Sequence, residues 1–66
     1  MRLDVRKVEM ALAKKEMNTA DLARATGYSL NTIRGYITLK RNPNTKSIGK
    51  IAKALGIDVM EILEET

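Results

Sequence analysis

Apolar residues recur at intervals of three and four positions along most of the chain, which is the spacing of one face of an α-helix. In a first predicted helix over about residues 4–15, that face consists of Val5, Val8, Ala11 and Leu12. Asp4 is the predicted N-cap of this helix. A second helix follows Asn18, whose capping-box partner is Asp21. It ends at Gly27, because glycine adopts positive φ without a Cβ clash.

The third predicted helix begins after Ser29 and runs to about Thr38. Its segment TIRGYITL contains β-branched residues that are typical of strands. Ile33 and Ile37 nevertheless keep the helical spacing, and Ser29 is a good N-cap, so the pattern favours a helix.

The segment LKRNPNTK is predicted to be a loop, since its proline stops any helix. A fourth helix then begins at Asn44 or Thr45 and ends at Gly56, and a fifth is capped by Asp58. The pattern therefore predicts an all-α fold, a compact bundle of five short helices in a single domain over residues 1–66.

The second and third predicted helices have the features of a helix-turn-helix. Ala23 is small enough for a close helix crossing, Gly27 allows a tight turn, and Ile33 anchors the later helix in the core. Leu22 and Tyr36 complete the apolar side of the motif. The opposite face of the third helix then points away from the domain, as in a helix that enters the major groove of DNA.

The charge distribution favours an anionic partner. The net charge is +4, and residues 22–57 contain seven basic side chains and no acidic one, whereas residues 58–66 contain four acids and no base. The seven basic residues are Arg24, Arg34, Lys40, Arg41, Lys46, Lys50 and Lys53. An acid-free stretch of this length favours binding to a polyanion over a merely solvated surface.

Composition disfavours several other classes. The chain has no cysteine and no histidine, and its acids beyond the first helix lie at capping or tail positions, so we expect no enzyme activity, no metal and no cofactor. Met10, Met17 and Met60 are predicted to fill gaps in the core rather than bind a ligand. The N-terminal MRLDVRKVEM lacks the apolar region of a signal peptide, and no membrane span is predicted. We expect a cytoplasmic protein that is nucleoid-associated when bound to DNA.

Three segments together carry a resemblance to a known family. They are DLARATGYSLNTIRGY, the loop KRNPN, and the closing IAKALGIDVMEIL, which occur in the same order and frame. With them, the chain resembles the Cro and phage-repressor type of helix-turn-helix DNA-binding domain, also called the xenobiotic-response-element class, over about residues 5–63. The resemblance implies a lambda-repressor-like fold and double-stranded DNA as the partner.

The resemblance also implies which residues face DNA. By position, base contacts fall on the third helix, at Leu30, Asn31, Thr32, Arg34, Gly35 and Thr38. Phosphate contacts fall on Thr19, Lys40, Arg41, Asn42 and Lys46, with the helix starts at Asn18 and Ser29 and the turn residue Tyr28 as further candidates. Asparagine pairs with adenine, arginine with guanine or phosphate, and leucine touches a thymine methyl group.

For several of these residues an ordinary structural role is the alternative. Leu30 packs on Tyr28 or the second helix in that case, and Asn31 and Arg34 are merely solvated. Lys50 and Lys53, on the fourth helix, are expected to be solvated only.

The chain departs from the family pattern at three places. Thr19 stands where the family often has glutamine, which weakens the expected phosphate contact. Leu39 stands where the family often has glycine; because leucine is strained in the left-handed region, we expect the third helix to run on or exit differently. Leu12 and Ile37 replace a family ion pair and are predicted to pack together.

The function expected from these observations is a sequence-specific transcriptional regulator, a repressor that binds a short palindromic operator as a homodimer. The segment 56–63 is the expected self-association surface, with Met60 as a residue surplus to the monomer core. The first alternative is an antitoxin of the same fold, whose acidic EILEET end binds a protein partner. A protein-interaction module without DNA binding and a membrane-surface role are weaker alternatives.

Overall fold

The computed structural model describes residues 2–65, so Met1 and Thr66 of the predicted domain lie outside the described residues. The helices are α1 (Val5–Lys14), α2 (Thr19–Thr26), α3 (Leu30–Ile37) and α4 (Thr45–Leu55), followed by a 3-10 turn at Val59–Ile62. The described part of the chain contains no strand, only one isolated antiparallel bridge. The all-α prediction is therefore confirmed.

The prediction of a fifth α-helix is wrong. Asp58 and Glu61 form the predicted capping box, but only the single 3-10 turn follows. Leu63 is extended, with φ −101° and ψ 149°, because it pairs with Leu3 in the isolated bridge. The amide of Asp4 donates to the carbonyl of Ile62 at 2.8 Å beside this bridge. The two ends of the described chain thus hold each other, which stops the helix after one turn.

Polar side chains begin each helix at the predicted positions. Asp4, Asn18 and Ser29 each accept a hydrogen bond from the amide three residues later, and Asn44, not Thr45, caps α4. The glycines end their helices as predicted, with φ 80° at Gly27 and 67° at Gly56. The segment that resembled a strand forms α3 and the turn after it.

The core lies where the four helices and the chain ends meet. Its buried apolar residues are Leu3, Val8, Leu12, Leu22, Ala23, Ile33, Ile48, Ile51, Ala52, Leu55, Ile62 and Leu63. Burial of these side chains against one another is the main stabilising contribution in a chain this small. The core predicted from helical spacing did not include Leu3, which is 1% exposed because of the bridge to Leu63.

The exit from α3 differs from the expectation based on leucine strain. Helix α3 ends at Ile37 and does not run on, and Leu39 itself takes the left-handed conformation with φ 62°. The amides of Lys40 and Arg41 both donate to the carbonyl of Gly35, at 3.0 and 3.1 Å. These two hydrogen bonds hold the turn closed and so stabilise a conformation that leucine disfavours.

Two of the three methionines that were predicted to fill gaps in the core do not do so. Met17 packs against the core, whereas Met10 is 60% exposed and Met60 is 69% exposed. Met10 lies two positions from both Val8 and Leu12, so it does not share their buried face. No helix among residues 2–65 has both the length and the apolar character that crossing a membrane requires.

Candidate nucleic-acid interface

Helices α2 and α3 form the predicted helix-turn-helix. Leu22 and Ala23 on α2 and Ile33 on α3 are buried in the common core, and the chain turns between the helices at Gly27. The hydroxyl of Thr26 donates to the carbonyl of Leu22 at 2.9 Å, so this buried polar group is satisfied at the turn. With Ile33 held inward, the opposite side of α3 faces solvent.

A stripe of polar positions runs along the outward side of α3. Asn31, Arg34 and Thr38 are exposed and lie at i, i+3 and i+7, which is one face of a helix. Gly35, at i+4, belongs to the same stripe but is only half-exposed. The Thr38 hydroxyl donates to the carbonyl of Arg34 at 2.7 Å, which leaves its oxygen lone pairs free to accept.

The other two predicted base-reading residues lie at the edge of the stripe. Leu30 and Thr32 are half-buried in the first turn of α3. The hydroxyls of Thr32 and Ser29 lie 2.9 Å apart and hydrogen-bond to each other. Both hydroxyls are thus engaged in the cap of α3, and the exposed residues of the stripe are Asn31, Arg34 and Thr38.

The side chain of Arg41 covers the gap in the stripe at Gly35. A Cβ placed on Gly35 would lie 3.0 Å from Cδ of Arg41 and 3.2 Å from its Cγ. The methylene groups of Arg41 therefore occupy the space above a helical position that has no side chain of its own. Sequence reasoning grouped Arg41 with the loop, and the structure packs its side chain on α3.

Within residues 2–65, no acidic side chain pairs with the basic residues around this surface. Lys40, Asn42 and Lys46 are exposed beside the end of α3. The three ion pairs among residues 2–65 are Arg2–Glu64, Lys7–Glu65 and Asp21–Arg24. None of them includes a basic side chain of α3, of the loop after it or of α4, so the positive charge on this side is open to an external anion.

The helix start at α2 is more fully engaged than the sequence suggested. The Asn18 amide donates to the Asp21 carboxylate at 2.9 Å, and the Asn18 side-chain oxygen accepts from the Asp21 amide at 2.8 Å. The Asn18 N–H is thus used inside the protein and is not open to a phosphate. Thr19, the first residue of α2, is half-buried.

Tyr28 connects the turn of the motif to α4. Its hydroxyl hydrogen-bonds to Ser47 Oγ at 3.0 Å, and the Tyr36 hydroxyl reaches the same Oγ at 3.2 Å. The two rings meet edge to face, with centroids 6.2 Å apart. The ammonium of Lys50 lies 5.2 Å from the Tyr28 ring centroid, so Lys50 makes a cation–π contact and is not merely solvated as predicted.

Sequence reasoning did not find the role of Ser47. Its position in the first turn of α4 is typical of an ordinary helix start, and nothing local in the sequence indicates that two tyrosines meet there. The predicted packing of Leu12 on Ile37 stays a prediction; both residues line one shallow surface pocket next to Thr19.

Comparison with known proteins agrees with this geometry. A family model described as Cro/C1-type HTH (helix-turn-helix) DNA-binding domain matches residues 7–65. The comparisons with curated proteins and with solved structures gave no significant match.

Proposed function

Because the chain belongs to the Cro/C1-type helix-turn-helix DNA-binding family, we propose that it is a sequence-specific transcriptional regulator that represses by occupying a short palindromic operator. The family is typically non-enzymatic. The observation that carries the proposal is the exposed polar stripe of α3, bordered by basic side chains that no acid of the described chain neutralises. Such a surface fits the major groove: the polar stripe faces the base edges, and the basic side chains around it face the phosphates.

The proposed roles follow the exposure of each residue. Asn31 and Arg34 read base edges, because both are exposed and carry donors suited to purines. Leu30, Thr32, Gly35 and Thr38 shape the same contact surface. Lys40, Asn42 and Lys46 contact phosphates and position the domain. Further contacts to the DNA backbone on the turn side are proposed for Thr19, Tyr28, Ser29 and Asn18. Asn18 makes its contact through the side-chain amide.

A homodimer is the proposed binding species. One domain of this size reads only a few base pairs, and a two-fold dimer reads two half-sites about one helical turn apart. Met60 and Val59, at 69% and 38% exposure, project from the 3-10 turn, and exposed Met10 lines a groove of about 290 Å³ together with Gly56 and Ile57. Exposed apolar side chains in this number favour burial against a second copy.

The salt dependence of duplex binding tests the DNA-binding proposal. Lys40→Ala is expected to weaken binding to a random-sequence duplex and to reduce the slope of log K against log salt by about 1, because one phosphate contact is lost. Lys53→Ala is the matched control, since it removes the same charge from an exposed position on α4 outside the proposed contact surface. Its slope should equal that of the wild type.

Two results would contradict the proposal. Equal effects of the two substitutions would mean that net charge alone attracts DNA. Failure of the wild type to bind any duplex at about 50 mM salt, where phosphate contacts are strong, would refute DNA binding and favour the protein-partner alternative.

A further inference from the structure

The base-reading face of α3 contains a position with no side chain, and another residue fills it. Gly35 lies in the same stripe as Asn31, Arg34 and Thr38, in the middle of the outward face. The distances from an added Cβ at Gly35 to Arg41 decrease along the arginine, from 3.6 Å at Cβ to 3.2 Å at Cγ and 3.0 Å at Cδ. The arginine therefore leans over Gly35 as it extends.

Two features of the backbone bring Arg41 to this place. The left-handed conformation of Leu39 reverses the chain just after α3. The Gly35 carbonyl then accepts hydrogen bonds from the Lys40 and Arg41 amides, which ties the reversed segment to the same turn of helix that the Arg41 side chain covers. A Cβ at position 35 would force the Arg41 side chain to shift by a few tenths of an ångström.

We propose that Arg41 reads a guanine in the major groove from its place over Gly35, so that it acts as a base-specific residue of the recognition surface. This inference rests on the proposed DNA-binding function. Gly35 is a positioning residue in this account, since its missing side chain is what admits the arginine to the stripe. This role is proposed in place of the phosphate contact predicted for Arg41 from its position in the loop.

The chemistry of arginine supports guanine as the target. Its planar guanidinium donates two parallel hydrogen bonds to O6 and N7 of guanine, which is the commonest specific contact in the major groove. Arg41 is exposed and takes part in none of the ion pairs among residues 2–65, so its donors are open to DNA. Its packed methylene groups restrict the guanidinium to one side of α3, which favours a directed contact over a diffuse one.

Selection from a random duplex library, carried out in parallel on five proteins, tests the inference. The proteins are the wild type, Arg41→Ala, Arg41→Lys, Gly35→Ala and Gly49→Ala. Gly49→Ala is the matched control: it makes the same change within a helix, but its added Cβ meets no atom within 4 Å. Thermal unfolding of each variant checks folding. Gly35→Ala should not lower Tm, because alanine favours a helix and the exposed arginine needs to shift by only a few tenths of an ångström.

The expected result is loss or weakening of one guanine preference in three variants. Arg41→Ala should reduce discrimination at that base pair by roughly 5- to 150-fold and leave the rest of the motif intact. Arg41→Lys should lose it as well, because lysine keeps the charge but not the bidentate geometry. Gly35→Ala should weaken it although Arg41 is still present, because the added Cβ displaces the arginine by a few tenths of an ångström. Gly49→Ala should keep the complete motif.

Three other outcomes would overturn the role of Arg41, the role of Gly35, or the proposed function together with the inference. If Arg41→Ala weakens all sequences equally and preserves the motif, Arg41 is a phosphate contact and the proposed function stands. If Gly35→Ala keeps the guanine preference that Arg41→Ala loses, the positioning role of Gly35 is wrong. If the wild type enriches no sequence, the sequence-specific function and the inference fail together.

Discussion

The Ser47 hydroxyl hydrogen-bonds the helix-turn-helix to α4. Removing this hydroxyl measures how much the attachment contributes to the stability of the domain. Ser47 is 4% exposed, and its Oγ hydrogen-bonds to the hydroxyls of Tyr28 and Tyr36 at 3.0 and 3.2 Å. Tyr28 lies in the turn of the motif, Tyr36 lies on α3, and Ser47 lies on α4. The substitution Ser47→Ala therefore removes both of these hydrogen bonds between the motif and α4 at once.

The expected loss of stability follows from these two bonds. A hydrogen bond inside a protein contributes about 0.5–1.5 kcal/mol net, so two of them contribute about 1–3 kcal/mol. Alanine is the better helix former by roughly 0.5 kcal/mol, which offsets part of the loss. The Ser47 amide continues to donate to Asn44 Oδ1 at 2.9 Å, so the cap of α4 is preserved. The free energy of unfolding should thus fall by about 0.5–2.5 kcal/mol.

Urea unfolding of single and double variants measures this loss and its origin. Tyr28→Phe and Tyr36→Phe should each lose about 0.5–1.5 kcal/mol, and each should lose much less in the Ser47→Ala background, because the shared partner is already absent. A loss below about 0.3 kcal/mol for Ser47→Ala, or strictly additive double variants, would refute the role given to the hydroxyl cluster.

Four other substitutions give expected outcomes. Gly49→Ala should raise the free energy of unfolding by about 0.5–1 kcal/mol in urea, since its Cβ enters open space within α4; no gain would contradict the helix assignment. Leu39→Gly should raise Tm by a few degrees, because it relieves left-handed strain of about 1–2 kcal/mol, and a lower Tm would mean that the exposed leucine packs favourably. Asn31→Ala should reduce the discrimination at one base pair by about 1–3 kcal/mol in competitive binding. An equal loss of affinity for all sequences would instead make Asn31 a contact to the DNA backbone. Met60→Gln should weaken dimerisation in sedimentation experiments and leave Tm unchanged at concentrations where the protein is monomeric, and an unchanged dimer would place the interface elsewhere.

Much of this fold is predictable because local signals and the global pattern agree. Asn18, Ser29 and Asp58 each precede an apolar run, and each caps a helical segment in the structure. Gly27 ends α2 with positive φ as expected. In α3 the spacing of Ile33 and Ile37 outweighs the strand preference of β-branched residues, because burial of one helical face is worth more than propensity.

The features that sequence reasoning missed depend on contacts between distant residues. Pairing of Leu3 with Leu63 ends the last helical segment after one turn, and no local pattern indicates that pairing. Ser47 has two tyrosine partners, 11 and 19 positions away along the chain. At Leu39 a local signal was given too much weight. The strain of leucine in the left-handed conformation is real, but hydrogen bonds to the Gly35 carbonyl outweigh it.

The candidate interface was predictable in position but not in detail. Helical spacing and charge identified the outward face of α3 and the basic loop after it. The sequence did not indicate that Arg41 folds over Gly35, because that contact depends on the turn at Leu39. The packing of each side chain therefore adds information about candidate base-reading and phosphate-binding residues that position along the chain does not give.

The most direct test of the central claim is the wild-type selection from a random duplex library at near-physiological salt, followed by sequencing of the retained duplexes. The account predicts enrichment of an inverted repeat whose half-sites lie about one helical turn apart, because two copies of α3 must enter successive major grooves on one side of the DNA. Retention of duplexes with no enriched sequence, or no retention at all, would contradict a sequence-specific dimeric regulator.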